Sequence, residues 1–285
     1  ESDPNYIVGR EFQKTMYGNH ARRQITSAAQ IEALNIPTLQ AIHSKLYGYA
    51  DDFRFLIVGN VDLDTLKPLV EKYLGSLPTS KKVEYAVVDD GVRFVDGNVV
   101  NDFRTPMQQP KVSVRLVYSG DMENNAKNRM IVELLSRALD SRYMISIREE
   151  KGGTYGVSVQ GGIEKYPTEE YMMAIVFDTN EQLADELVEI CDKEIKKIAE
   201  EGPLADDVAK SKEFLQKNYN NVLENNGGWM SAITRWYEEG YNYKEEYLGV
   251  LESVTLEDVK AFAAKMLEDG NRTLVVMRPE AADAE

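Results

Sequence analysis

The chain has one cysteine, two histidines and two tryptophans in 285 residues. Cys191 alone excludes an internal disulfide and any site built from several thiolates, and it does not identify the compartment. His20 and His43 are far apart, and neither has a second His or a Glu three or four residues away, the spacing that puts ligands on one helical face. A His-based zinc site is therefore excluded, and surface or helix-capping roles are expected for both imidazoles. No apolar run approaches the roughly 20 residues that span a bilayer. Glu1-Ser2-Asp3-Pro4 has neither the basic start nor the apolar stretch of a signal peptide, and no initiator Met is present, so a fragment or processed product is expected. Cations are scarce too: 33 Lys and Arg face 48 Asp and Glu, a formal charge of −15. Such a field repels phosphate backbones and anionic lipid surfaces, so neither nucleic acid nor a membrane is an expected partner. The glycines at 152, 153, 156, 161 and 162 are followed by no Lys-Ser/Thr pair, and no Gly-x-Ser-x-Gly elbow occurs, which removes a phosphate loop and a hydrolase-type nucleophile.

What is present is ordinary globular text, 43% hydrophobic and 28% charged, and long enough for more than one core. Helical periodicity is expected over residues 5–16, 26–34 and after Pro37, where Leu39, Ile42 and Leu46 share a face. Residues 53–58, Phe-Arg-Phe-Leu-Ile-Val, read as a strand ended by Gly59-Asn60. A helix capped by Asp62 or Asp64 follows, and Gly75 and Pro78 close it. Residues 79–102 are polar with β-prone patches such as 92–95, which places a linker and the first strand of a new module there. Val112, Val114, Leu116 and Tyr118 alternate with Lys111, Ser113 and Arg115, a half-buried strand. A helix over 125–139 and strands over 154–159 and 171–177 come next, the last apolar throughout and so internal to its sheet. The rest is mostly helical: 181–200, with Cys191 in its apolar stripe, then 205–223, 229–239, 247–254 and 256–267, before a last strand at 273–277. This is an α+β architecture of strands packed against helices.

A helix–strand unit occurs twice. Thr38-Leu39 leading to Leu56-Ile57-Val58 is repeated as Thr255-Leu256 leading to Leu274-Val275-Val276; Thr38 and Thr255 stand 217 residues apart, Ile57 and Val275 218. A steady offset of that size describes a duplicated module. It divides the chain into residues 1–84, the C-terminal portion of one module, and residues 85–285, a complete second one.

The most distinctive stretch runs from Ser141 to Ser158, SRYMISIREEKGGTYGVS, and reads as helix, glycine turn, strand. The turn can bring Arg148 and Tyr155 to one edge, where a guanidinium and a phenol both suit a peptide carbonyl. On chemistry alone Arg148 is equally a solvated partner of Glu149 or Glu150, and Tyr155 a packing residue. Trp229, Trp236, Tyr237, Tyr241 and Tyr243 stand at helical spacing, for which core packing is the expectation and the lining of a cavity the alternative.

Arg-Glu-x-Lys-Gly-x-x-Tyr with its β-prone continuation resembles the signature in the C-terminal half of insulinase/pitrilysin-type zinc peptidases of the large bacterial kind. Phe55-Leu56-Ile57-Val58-Gly59-Asn60-Val61-Asp62, followed by Leu69 through Pro78, is similar to the elements that close the preceding module there. The resemblance covers nearly the whole chain. It implies tandem modules of about 220 residues, each a sheet packed on helices, paired into halves that enclose a chamber. It further implies a zinc site of inverted His-x-x-Glu-His type in an N-terminal half that serves as partner, with no zinc held by this chain. Arg148 and Tyr155 are the implied substrate-binding residues, a donor to a substrate carbonyl and a phenol on the peptide backbone or the tetrahedral intermediate, and no catalytic residue is implied here. Gly152-Gly153-Thr154 departs from relatives that carry a bulkier residue, and residues 154–159 are a candidate edge for peptide addition. The expected function is the substrate-binding, chamber-forming C-terminal part of a zinc endopeptidase, periplasmic or in the cell envelope. The alternative is a non-catalytic peptide-binding or structural subunit of the same fold.

Overall fold

The structure, a computed structural model, describes residues 2–80, 87–149, 151, 152, 154 and 156–280. In chain order the elements are α1 (Pro4–Met16), α2 (Ala28–Glu32), α3 (Ile36–Tyr47), α4 (Leu63–Tyr73), β1 (Asn98–Thr105), β2 (Val112–Asp121) and α5 (Ala126–Tyr143). A π-helical segment (Met144–Glu149), β3 (Val157–Glu164), β4 (Glu170–Thr179), α6 (Ala184–Glu201) and α7 (Ala205–Leu223) follow. The chain ends with α8 (Asn226–Glu239), α9 (Tyr243–Ser253), α10 (Leu256–Asp269) and β5 (Asn271–Pro279). The helix starts obey capping chemistry: Asp3 accepts from the amides of Asn5 and Tyr6, Asn125 from that of Asn128, and Thr255 forms a reciprocal box with Asp258.

Two compact units emerge, residues 1–25, 88–217 and 247–285 in one, and 26–87 with 218–246 in the other; the boundary falls inside α7. The first unit is built on a five-stranded sheet of order β1-β5-β2-β4-β3, antiparallel except for the β1–β5 pair. Its main core lies between the sheet and α5, α6 and α10, where Leu116, Ile175 and Val276 meet Leu134, Leu135, Leu187, Ile195, Phe262 and Met266. Cys191 is buried in this core, as its place in the α6 stripe predicts, and burial pushes its thiol up.

The opposite face of the sheet is covered as well. Met16 of α1, with Phe94, packs on Val117 and Ala174, and Arg115 lies over the Phe12 ring at 5.4 Å. Strand β2 is consequently buried on both sides, with Ser113 and Ser119 inside, where alternation predicted an open polar face. The polar stretch 79–102 yields its strand later than residues 92–95: β1 starts at Asn98, and Val92 and Phe94 are buried without joining a ladder. Charged ties hold β1 to its neighbours. Arg278 of β5 reaches Asp102 of β1 and Asp185 of α6, and Asp192 of α6 accepts from Tyr118 at 2.5 Å and from Arg272 at 2.9 Å.

In the second unit the expected strand over residues 53–58 is not a strand. No other described residue of that unit forms a strand for it to pair with, so its amides and carbonyls enter no ladder. Phe53, Phe55 and Ile57 are exposed, as are Leu39, Ile42 and Leu46 on α3. The counterparts of Ile42 and Leu46 in the second copy of the repeat, Val259 and Ala263, are fully buried against the sheet. The same helical pattern is thus buried on a sheet in one copy and exposed in this chain in the other.

Candidate functional site

Residues 141–158 lie where helix α5 leaves the core. Arg142 pairs with Glu194 at 3.1 Å and the Tyr143 hydroxyl donates to the Cys191 carbonyl at 3.0 Å, both on α6. The helix then widens to π geometry over Met144–Glu149, with Ile147 fully buried as its anchor. Wide turns of this kind are rare and concentrate at functional sites, because the extra residue re-aims the side chains that follow. Gly152, at φ +60°, closes the turn through its amide to the Arg148 carbonyl at 3.1 Å, and Lys151 is tied to Glu186 of α6 at 2.6 Å. The segment is therefore fastened to α6 on both sides of Arg148.

Arg148 itself is exposed. Its guanidinium touches the Met144 sulfur at 3.6 Å, and among the described residues it makes no ion pair, Glu149 included. The solvated-pair reading thus fails for Glu149, and a cation in an acidic protein is left with open donors. Tyr155 and Glu150 lie outside the described residues. On either side of Tyr155, the Thr154 hydroxyl donates to the Gly156 carbonyl at 3.0 Å, and the strand begins at Val157 rather than at Thr154.

That strand, β3, is the sheet's edge, carrying a ladder only to β4 among the described residues. Helix α5 lies close on it. Ser136 donates to the Val159 carbonyl at 3.1 Å, and a Cβ on Gly161 would come within 2.6 Å of Val132, so only glycine permits this approach.

The histidines take structural places. His20 accepts from the Arg22 amide at 3.3 Å and caps a short 3-10 turn, and the His43 ring rests against Tyr47. Among the described residues no three of His, Cys, Asp and Glu come together as a metal site would require, so the donors present do not fit zinc. The aromatic group falls wholly in the second unit. Tyr241 is buried, but Trp236 and Tyr237 are 53% and 50% exposed, so core packing does not describe those two. Sequence reasoning missed the π-helical segment, whose only signal is a pair of apolar residues, Met144 and Ile145, left exposed beside Arg148.

A five-stranded mixed sheet with α5, α6 and α10 on one face, and an exposed arginine on a turn fastened to α6, define an α+β domain in which the described residues assemble no metal-ligand set. Residues 33–215 match the sequence family described as the Peptidase M16 inactive domain, and the chain belongs to that family. Among relatives, a protein of Arabidopsis thaliana described as "Zinc protease PQQL-like" is 22% identical over 250 residues, covering 84% of this chain and 26% of that protein. The chain spans only that quarter of its relative's length. Two solved structures share the fold. The periplasmic protease PqqL of Escherichia coli has a TM-score of 0.79 at 21% identity, covering 97% of this chain and 31% of that one. The peptidase M16 inactive domain of Pseudomonas fluorescens has a TM-score of 0.77 at 18% identity, covering all of this chain and 68% of that one.

Proposed function

We propose that this chain is the substrate-grasping, chamber-forming C-terminal part of a zinc-dependent endopeptidase and hydrolyses nothing by itself. The observation that carries the reading is Arg148: a guanidinium without a carboxylate partner among the described residues, on a turn fastened to α6, in a domain whose family is described as inactive. Its planar fork suits the carbonyl oxygens of an extended peptide, and Tyr155 is the proposed second contact to the same backbone. The edge strand β3, paired only with β4 among the described residues, offers main-chain groups along which such a peptide can lie. Zinc belongs, in this proposal, to an N-terminal half that faces this one, and the substrates are peptides small or unfolded enough to be enclosed. Residues 1–84 are assigned to the end of one module and 85–285 to the next. A periplasmic or cell-envelope location is part of the proposal, supported by the likeness to a structure described as a periplasmic protease.

The experiment is peptide cleavage by the full-length protein carrying Arg148→Ala or Tyr155→Phe. Losing one charged hydrogen bond of about 1.5–3 kcal/mol lowers kcat/KM by about 10–100-fold. Unchanged cleavage in both variants reduces the two residues to packing. The family's description as an inactive domain also favours a second reading, a peptide-binding or structural subunit with no catalytic half. A His-x-x-Glu-His motif encoded upstream of Glu1 separates the two.

A further inference from the structure

The aromatic residues that do not serve the core of the second unit build a cleft of about 260 Å³ where α8 turns into α9. Trp229, Ile233, Trp236 and Tyr243 line it. The local fold explains why the walls stand where they do. Asn225 caps α8, and Gly228 sits so close to the Val222 carbonyl that any Cβ would collide with it. The Trp229 indole is pinned by its N–H to the Leu223 carbonyl at 2.7 Å, and Tyr243 stacks on Tyr219, whose hydroxyl donates to the Lys244 carbonyl at 2.6 Å. The helix ends at Gly240, in the left-handed region at φ +72°.

The polar groups around this apolar space are donors with one carboxylate among them, Glu246, which accepts from the Asn242 backbone amide at 2.7 Å. Lys244 lines the cleft and is exposed, and Arg235 stands on α8 between the lining residues Ala232, three residues earlier, and Trp236, the next one. Among the described residues neither cation makes an ion pair, in a chain carrying 48 acidic residues. The Trp236 indole N–H and the Asn242 side-chain amide likewise have no hydrogen-bond partner among the described residues. A cleft with aromatic walls, two cations outside any ion pair and two open N–H donors, its one neighbouring carboxylate engaged by the Asn242 amide, complements an apolar side chain beside a carboxylate. At about 260 Å³ it lies below the ~300–1,000 Å³ of clefts that enclose a drug-sized ligand, so it suits the last residue of a chain rather than a whole molecule.

We propose that this cleft binds the C-terminal residue of a peptide, a large apolar or aromatic side chain with its free α-carboxylate held by Lys244 and Arg235. The site belongs to the second unit, Arg148 to the first, and the proposal stands apart from the reading of Arg148.

Both tryptophans of the chain line the cleft, so their two indole N–H resonances report its occupancy directly. The test titrates the 15N-labelled 285-residue chain with Gly-Gly-Phe bearing a free carboxylate, with its C-terminal amide, and with Gly-Gly-Gly. The expected result is saturable movement of both resonances by the free acid, with the amide bound at least about tenfold more weakly and Gly-Gly-Gly causing no shift. Lys244→Gln combined with Arg235→Gln brings the acid down to the level of the amide, and Ala232→Phe fills the cleft and abolishes both. Equal binding of acid and amide, acid binding that survives the double variant, or no saturable shift up to about 10 mM peptide overturns the proposal.

Discussion

Arg148 stands out because, among the described residues, its guanidinium makes no ion pair and touches the soft Met144 sulfur at 3.6 Å. An unpaired surface arginine contributes little to stability, so Arg148→Ala leaves the thermal midpoint of the chain unchanged within about 1–2 °C while lowering activity of the whole protein. Thermal melts beside peptide assays separate the two effects. Gly161 behaves in the opposite way. Its added methyl would press on Val132, which is buried and cannot move aside cheaply, so Gly161→Ala costs about 1–3 kcal/mol in urea unfolding and loosens the seat of α5 on β3. Glu170, next to the β3–β4 turn, has its carboxyl pushed above its ordinary value by burial, partly offset by the Thr168 hydroxyl at 2.9 Å. A raised carboxyl is neutral in both states at low pH and penalises the fold once the unfolded chain ionises. Glu170→Gln therefore raises the melting temperature at pH 7, and the difference closes below about pH 4.

At the level of elements, most helices were legible because their apolar positions repeat at 3.6 residues between recognisable caps; α6, α7 and α10 sit within a few residues of their expected limits. Strands were legible where both faces are apolar, as in β4, and illegible where partners decide. Strand β1 is spelled Asn-Val-Val-Asn-Asp-Phe-Arg-Thr, polar text that becomes a strand because β5 lies parallel to it and Arg278 clamps it. Residues 53–58 have the better strand composition and no ladder, since propensity without a partner supplies no hydrogen bonds. The covering of β2 by α1 depends on a contact about a hundred residues apart in sequence, which no local pattern records. The two copies of the helix–strand unit offer a matched test. Val259→Ala on α10 removes buried contacts and costs about 2 kcal/mol. Ile42→Ala on α3, at the corresponding position but 50% exposed, changes stability by less than about 0.5 kcal/mol. Equal costs measured by chemical denaturation would show that the α3 face is covered after all.

For the molecule as a whole, composition spoke mainly by exclusion. Two histidines distant in sequence and one buried cysteine do not make a zinc-ligand set, and the described residues bring no substitute together, so the described donors do not fit the metal that the relatives' names imply. The two motifs in the family's order carried the resemblance, and the family match over residues 33–215 bears it out; the offset near 217 residues agrees with the modules that the resemblance implies. Arg148 could be singled out from its motif, whereas its π-helical setting and the aromatic cleft of the second unit required coordinates, because both depend on how far a helix continues and where it turns. The account stands on a division of labour in which this chain holds peptide and another half cuts it. The most direct test incubates an unstructured peptide with zinc and either the 285-residue chain or the full-length protein, following cleavage by mass spectrometry. The division predicts an intact peptide with the chain alone and cleavage by the full-length protein that falls about 10–100-fold on Arg148→Ala; hydrolysis by the isolated chain, or full activity without Arg148, would contradict it.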